Sequence, residues 1–246
     1  MDLANKMCNL ECLKNEAPVA EFVGPVKIVL VDPPPRLYKR RVWGSALIVV
    51  AHMMIGATTM TLFYYSLAFK LKFGANLHIF LCTAGYQLCL PSGILMVNNL
   101  NGAAAPMKTQ EKRTQHLFLQ IFGMACAIFG SIAVFFFDEL SLSEFTIHSL
   151  TGIAAGILGI LTVALGPIVH FTKDTAHGVS KLPHIFFGVL TLISSTLCFV
   201  LGLIKPQFSS WVPVPEMLTC TIIFGVIATI IVIVSPLISF LDNCGF

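Results

Sequence analysis

Six long runs of apolar residues follow one another along the chain, separated by short polar connectors. The runs cover residues 43–68, 76–98, 116–137, 147–170, 184–204 and 217–241. An α-helix rises 1.5 Å per residue, so about 20 residues match the ~30 Å hydrocarbon core of a bilayer. Because short connectors favour antiparallel neighbours, the pattern predicts an all-α membrane protein built as a bundle of six transmembrane helices. Three prolines predict local kinks in these spans: Pro91, Pro167 and Pro236.

The composition agrees with a membrane protein. Hydrophobic residues make up 56% of the chain and charged residues only 11%, whereas soluble proteins carry about 25% charged residues. The formal net charge of +3 identifies no partner by itself, because a membrane protein sorts its positive residues by side. Eight cysteines are scattered without the spacing of a zinc or redox motif. We therefore interpret them as small packing residues rather than a disulfide framework.

The distribution of Lys and Arg among the short loops predicts the orientation. Nine lie on one side of the bundle: Arg36, Lys39, Arg40, Arg41, Lys108, Lys112, Arg113, Lys173 and Lys181. Three lie on the other: Lys70, Lys72 and Lys205. Cytoplasmic loops carry the excess of positive residues. The pattern thus predicts that both termini are cytoplasmic.

The residues before the first span differ from the rest of the chain. They are mixed in polarity and contain the run Asp32-Pro33-Pro34-Pro35, which is typical of an extended linker. The extreme N-terminus lacks the apolar core of a secretory signal peptide. We therefore predict a cytoplasmic tail and linker over residues 1–42, followed by a six-helix transmembrane domain over residues 43–246.

Four histidines lie near the starts of the four central spans: His78, His116, His148 and His184. Ionisable residues within membrane spans are costly, which makes them functional candidates. The second and fourth spans cross the membrane in one direction, and the third and fifth cross in the other. His78 and His148 are therefore expected near the outer face, and His116 and His184 near the inner face.

Each pair of histidines could ligate one haem. Haem iron accepts one imidazole nitrogen from each side of the porphyrin plane. Zinc fits less well, because it takes four ligands and no nearby cysteine or carboxylate completes either pair. The pattern predicts a central four-helix core with two haem sites, ligated by His78 with His148 and by His116 with His184. The alternative for any single histidine is an interfacial residue at a helix start.

Several fragments resemble the core of the cytochrome b561 family, whose members are transmembrane di-haem electron carriers. The fragments are Leu77-His78, 112–120 (KRTQHLFLQ), 147–152 (IHSLTG) and Pro183-His184 with Gly188. In that family, one histidine on each of the four central helices ligates haem b, paired second with fourth and third with fifth. Gln120, one turn after His116, is similar to short members that consist of the core domain alone.

The resemblance implies an ascorbate-dependent transmembrane reductase. Such proteins pass electrons from cytoplasmic ascorbate through two b-type haems to monodehydroascorbate radical or ferric iron opposite, and the family suggests a homodimer. Positive residues near the inner pair could attract anionic ascorbate. The candidates are Lys108, Lys112, Arg113 and His177, and the alternative is that they only anchor the cytoplasmic side.

Two other functions remain open. One is a membrane bundle of the same fold that lacks ascorbate-dependent reductase activity. The other is a transporter whose histidines relay protons or line a path. The histidines lie near the span ends, and spans two to five carry no ionisable residue deep inside, which disfavours the transporter.

Overall fold

The computed structural model describes residues 34–68, 71–137, 146–171 and 174–244. Its α-helices are α1 Pro35–Ala68, α2 Phe73–Cys82, α3 Leu90–Met96, α4 Thr109–Phe137, α5 Ile147–Phe171, α6 Asp174–Leu203, α7 Pro206–Ser209 and α8 Pro215–Cys244. A π-helical segment, Thr83–Cys89, joins α2 directly to α3, and a 3-10 turn, Gly102–Ala104, follows α3. The described ranges contain no β-strand.

Within the described ranges, six stretches of helix are long and apolar enough to cross a membrane. They are Tyr38–Ala68, Phe73–Met96, Thr109–Phe137, Ile147–Val169, Lys181–Leu203 and Pro215–Asp242. Helices suit this environment because every backbone hydrogen bond is made within the segment, where lipid offers no alternative partner. The prediction of an all-α bundle with six spans is confirmed. The predicted division at residues 42 and 43 stays a prediction, because residues 1–33 lie outside the described ranges.

The chain divides into two units, Met1–Tyr38 and Lys39–Phe246, and the bundle described below belongs to the second. In it, the second span packs along α4, and α5 packs most extensively against α6. The central spans therefore form two helical hairpins, joined by contacts between α4 and α5. The sixth span, α8, packs against α6.

Side chains of α1 hold the outer helices onto the hairpins. Ile48 and Ala51 of α1 are buried with Leu95 of α3 and Val232 of α8. Near the other end of α1, Tyr65 is buried in a second cluster together with Leu203 and Phe208. Many large apolar side chains point outward along five of the six spans, whereas in the second span only Phe73 is exposed. Outward apolar side chains are expected where the bundle faces lipid instead of water.

The distortion expected at Pro91 takes the form of the π-helical segment. Leu90 donates its backbone N–H to the carbonyl of Gly85, five residues earlier instead of four. Pro91 has no N–H, and its ring would clash with the carbonyl four residues before it in a regular α-helix. Gly85 also lies so close to the backbone of α4 that a Cβ there would meet the Gly123 carbonyl oxygen. The second span therefore widens by one residue where it packs most closely on α4.

Candidate functional site

Two of the four histidines near the span starts lie close together between α2 and α5. His78 lies in the middle of α2, and His148 is the second residue of α5. Their ring centroids are 6.1 Å apart, and their planes are inclined by 78°. The two imidazoles therefore face each other across the gap between the two hairpins.

The other two histidines repeat this arrangement between α4 and α6. The ring centroids of His116 and His184 are 6.2 Å apart, with an angle of 75° between the planes. The structure thus brings together the same residues that the sequence analysis pairs. Their role as haem ligands stays a prediction.

Within the first hairpin, the histidines form reciprocal hydrogen bonds to the backbone. His78 of the second span donates its Nδ1–H to the Gly130 carbonyl of the third, over 3.0 Å. His116 of the third span donates its Nδ1–H to the Gly93 carbonyl of the second, over 2.8 Å. Each span therefore orients the imidazole of the other.

The second hairpin uses the same exchange. His148 of the fourth span donates its Nδ1–H to the Cys198 carbonyl of the fifth, over 2.9 Å. His184 of the fifth span donates to the Thr162 carbonyl of the fourth, over 3.0 Å. All four imidazoles are thus fixed by a carbonyl from the neighbouring helix of the same hairpin.

The histidines and the carbonyls follow a regular spacing. In the third, fourth and fifth spans, the accepting carbonyl belongs to the residue 14 positions after that span's own histidine. Four turns of an α-helix contain about 14 residues, so both groups project from one face. In the second span the separation from His78 to Gly93 is 15. The π-helical segment contains the additional residue, so this span also presents its histidine and its carbonyl to α4.

These carbonyl acceptors were missed by the sequence analysis. A backbone carbonyl carries no residue identity, so no motif marks it. The available signal was indirect: the small or short residues Gly93, Gly130, Thr162 and Cys198 recur one fixed interval after the histidines.

The hydrogen bonds determine which nitrogen can bind a metal. Because Nδ1 carries the proton that each ring donates, the Nε2 lone pair is available as a ligand. Among the described residues, no hydrogen bond is made to Nε2 of His78, His116, His148 or His184. Metal-ligating histidines commonly donate their other ring N–H to a carbonyl in this way.

The donor set fits an iron ion whose remaining ligands come from a planar macrocycle. A metal–imidazole bond of about 2.0–2.1 Å on each side places the two ring centroids roughly 6 Å apart, which agrees with both measured separations. In the described ranges, no group of three or more His, Cys, Asp or Glu side chains is placed to hold a metal. Each pair can thus supply two axial ligands, as haem requires.

Close packing beside His116 explains a glycine and a glutamine there. Gln120 is buried and donates its Nε2–H to the Leu90 carbonyl over 2.9 Å. A Cβ at Gly93 would lie 2.7 Å from that same nitrogen and 3.1 Å from Cβ of Leu119. Glycine at position 93 therefore lets its carbonyl reach His116 while Gln120 ties the second span to the third.

Three of the four predicted substrate residues lie at the start of α4. Lys108 and Arg113 are exposed and Lys112 is half-buried. The backbone N–H of Lys108 donates to Oε2 of Glu111 over 3.0 Å, which caps the helix. Arg113 lies about one turn before His116, on nearly the same helical face. The side chain of the fourth candidate, His177, lies outside the described residues.

Comparison with known protein families identifies the family to which the chain belongs. A family model described as eukaryotic cytochrome b561 matches residues 77–210, which is more than half of the chain and includes all four paired histidines. The chain belongs to the cytochrome b561 family. No curated protein and no solved structure matches it. This cytochrome b561 is therefore a multi-pass membrane oxidoreductase that binds haem b and transfers electrons across the membrane.

The matched range coincides with the part of the bundle that carries the histidines. It begins one residue before His78 and ends after α7, so it contains both helical hairpins apart from the first four residues of α2. The first and sixth spans lie outside the match, and their assignment rests on the length and apolar character of α1 and α8. The paired histidines thus lie in the part of the chain that defines this cytochrome b561.

Proposed function

We propose that this cytochrome b561 holds two haem b groups per chain, one between His78 and His148 and one between His116 and His184. The observation that carries the proposal is the doubled geometry, in which two imidazole pairs have nearly equal separations and every Nδ1–H is already used. Bound haem supplies reversible one-electron oxidation and reduction of its iron. The four histidines would hold the haem iron through their Nε2 nitrogens.

The protein's own contribution is to orient and polarise these ligands. A carbonyl that accepts the Nδ1–H fixes the ring orientation and makes the opposite nitrogen more basic. All four acceptors belong to helices packed inside the central hairpins, so the rings are held by rigid elements. Imidazole ligands fixed in this way favour fast electron transfer, because the side chains around the iron move little when its charge changes.

We place both termini on the cytoplasmic side. Seven positive residues at described positions support this side: Arg36, Lys39, Arg40, Arg41, Lys108, Lys112 and Arg113. Lys181, at the start of the fifth span, adds an eighth. Lys72 and Lys205 lie at described positions on the opposite side, whereas Lys70 and Lys173 lie outside the described ranges. In this orientation, the His116–His184 pair is the one nearer the cytoplasm.

Ascorbate is the proposed electron donor at the cytoplasmic end. Lys112 and Arg113 lie in the first two turns of the helix that carries His116, so their charges would attract an anion to the edge of that site. Lys108 and His177 complete the proposed contact set. On the opposite side, monodehydroascorbate radical or ferric iron is the proposed acceptor. We further propose a homodimer, with residues 1–42 as a cytoplasmic tail and linker and residues 43–246 as the transmembrane domain.

The visible spectrum of the purified protein tests this function. We expect reduced-minus-oxidised bands of bis-histidine haem at two haems per chain, and reduction of both by ascorbate. Haem that ascorbate cannot reduce would reject the proposed donor and favour a bundle without ascorbate-dependent activity. Absence of haem would reject the proposed sites altogether.

Neutralising Arg113 together with Lys112 should weaken the reaction with ascorbate without affecting haem binding. Because a cluster of like charge concentrates an anionic substrate, we expect the rate constant for haem reduction by ascorbate to fall roughly tenfold in K112A/R113A at low salt. The measurement is stopped-flow reduction at increasing ascorbate concentrations.

The matched control is Lys72→Ala, which removes an exposed positive charge at the proposed opposite end. Raising the ionic strength should slow the wild-type protein more than K112A/R113A, because salt screens the attraction. Equal rates for K112A/R113A and K72A would count against an ascorbate site at the start of α4.

A further inference from the structure

Two cysteine thiols lie beside one of the two histidine pairs. Cys82 Sγ is 3.5 Å from Nδ1 of His78, and Cys198 Sγ is 3.5 Å from Nδ1 of His148. Both distances allow a hydrogen bond to sulfur, which is a weak acceptor. Both imidazoles of this pair therefore have a sulfur neighbour at the nitrogen that faces away from the ligand position.

The hydrogen-bond directions show how each sulfur interacts with its histidine. The Cys82 Sγ lies 3.6 Å from the Ala127 carbonyl oxygen and 3.7 Å from Ser131 Oγ, so its thiol can donate to either oxygen. The Cys198 thiol donates to the His148 carbonyl over 3.4 Å. Because each thiol has an oxygen acceptor for its own proton, a sulfur lone pair can accept from the imidazole. Each Nδ1–H is then shared between a backbone oxygen and a sulfur.

The two cysteines differ in their sequence position relative to the histidines that they contact. Cys82 lies one turn after His78 on the same span. Cys198 lies on the neighbouring span and also supplies the carbonyl that accepts from His148. The same environment thus arises twice from unrelated positions in the sequence.

The His116–His184 pair lacks these interactions, although equivalent positions exist. One turn after His116 is Gln120, whose amide is bonded to the Leu90 carbonyl. The carbonyl that accepts from His184 belongs to Thr162, whose hydroxyl donates to the Leu158 carbonyl over 2.8 Å. In the described part of the chain, no thiol hydrogen-bonds to Nδ1 of His116 or His184. The two histidine pairs therefore differ in the groups that contact Nδ1 as well as in their position in the bundle.

We propose that Cys82 and Cys198 are positioning residues that lower the reduction potential of the haem bound by His78 and His148, an inference that rests on the haem ligation proposed above. A second acceptor at Nδ1–H makes the imidazole more electron-rich and Nε2 more basic. A more basic axial ligand stabilises ferric iron relative to ferrous iron, and hydrogen bonding around ligands is an established means of tuning haem.

The test is a redox titration of purified wild-type protein, C82A, C198A and the double variant C82A/C198A. In each single variant, we expect one of the two midpoint potentials to become more positive while the other stays unchanged. The double variant should change the oxidised-to-reduced equilibrium of that haem about tenfold, which equals about 59 mV for a one-electron couple. The affected haem is identified as the one that remains in His116→Ala.

Two further variants separate tuning from a structural effect. Cys220 is an exposed cysteine on α8, so C220A should leave both potentials unchanged. Cys82→Ser and Cys198→Ser retain a donor and an acceptor at the same positions, so they should restore the potential toward the wild-type value. A cavity left by the smaller alanine would not be corrected in this direction by a hydroxyl group.

The outcomes distinguish this inference from the proposed function. Two haems per chain with potentials unchanged in C82A/C198A would overturn the role of the cysteines and leave the ligand assignment intact. A shift of equal size in C220A, or in the haem held by His116 and His184, would also overturn it. If C82A/C198A fails to fold, the serine variants decide, because midpoint potentials of C82S and C198S that are no more negative than those of C82A and C198A contradict sharing of the Nδ1–H. Wild-type protein without haem would reject the proposed ligands and this inference together.

Discussion

His116→Ala is expected to lose one of the two haems and to lose electron transfer across the membrane. Each proposed site has only two protein ligands to iron, so removal of one leaves a haem with a single axial nitrogen. His184→Ala should give the same product, because His184 shares that site at a ring separation of 6.2 Å. Absorbance of haem per polypeptide should fall by about half in both variants. The remaining haem should keep the spectrum of a bis-histidine site.

The reciprocal variants and a control make this expectation specific. His78→Ala and His148→Ala should lose the other haem, so the four variants should fall into two spectral classes. His52→Ala is the matched control. His52 is exposed on α1 and its Nδ1 is bonded within its own helix to the Ile48 carbonyl over 2.8 Å. Retention of both haems in His116→Ala, or four different spectra, would contradict the pairing.

The sequence predicted the bundle because two strong physical signals agree. Apolar runs of membrane-spanning length favour helices, because a helix satisfies its backbone hydrogen bonds within the segment. The described part of the chain has six such helices. Alternation of direction along the chain then brings together the starts of alternate spans. For this reason the pairing of His78 with His148 could be derived without knowledge of any side-chain packing.

What could not be predicted depends on contacts between helices. The carbonyls of Gly93 and Gly130 acquire their role only through the rotation and the vertical position of two packed helices. The sulfur of Cys198 is equally uninformative in the sequence, because it is 50 residues from the histidine that it contacts. Scattered cysteines were interpreted as packing residues, and for Cys82 and Cys198 that interpretation misses hydrogen bonds to the histidines.

The reciprocal bonds suggest that each hairpin is a repeated unit. In both, an imidazole near each end of the hairpin is oriented by the partner helix, so the two helices cannot slide past each other without breaking both bonds. A shift by one residue moves a helical position by 1.5 Å and turns it by about 100°. The 14-residue interval is thus a constraint on register, and the second span keeps the same register with 15 residues only because of its π-helical segment.

Deleting one residue from the π-helical segment is therefore expected to be tolerated. Without Ala84, the segment Thr83–Cys89 loses its additional residue, and the interval from His78 to Gly93 becomes the 14 residues found in the other spans. Both reciprocal bonds of the first hairpin can then persist. We expect the Ala84 deletion to retain two haems per chain, measured from the haem absorbance of purified protein.

The matched deletion of Ala125 in α4 should have the opposite result. Ala125 lies between His116 and Gly130 in regular α-helix, so its removal shortens an interval that is already 14 residues. One of the two bonds between His78, Gly130, His116 and Gly93 must then break, because about 100° of rotation turns either the histidine or the carbonyl away from the second span. We expect loss of at least one haem. Equal haem content in the two deletions would show that the π-helical segment does not set the register of the hairpin.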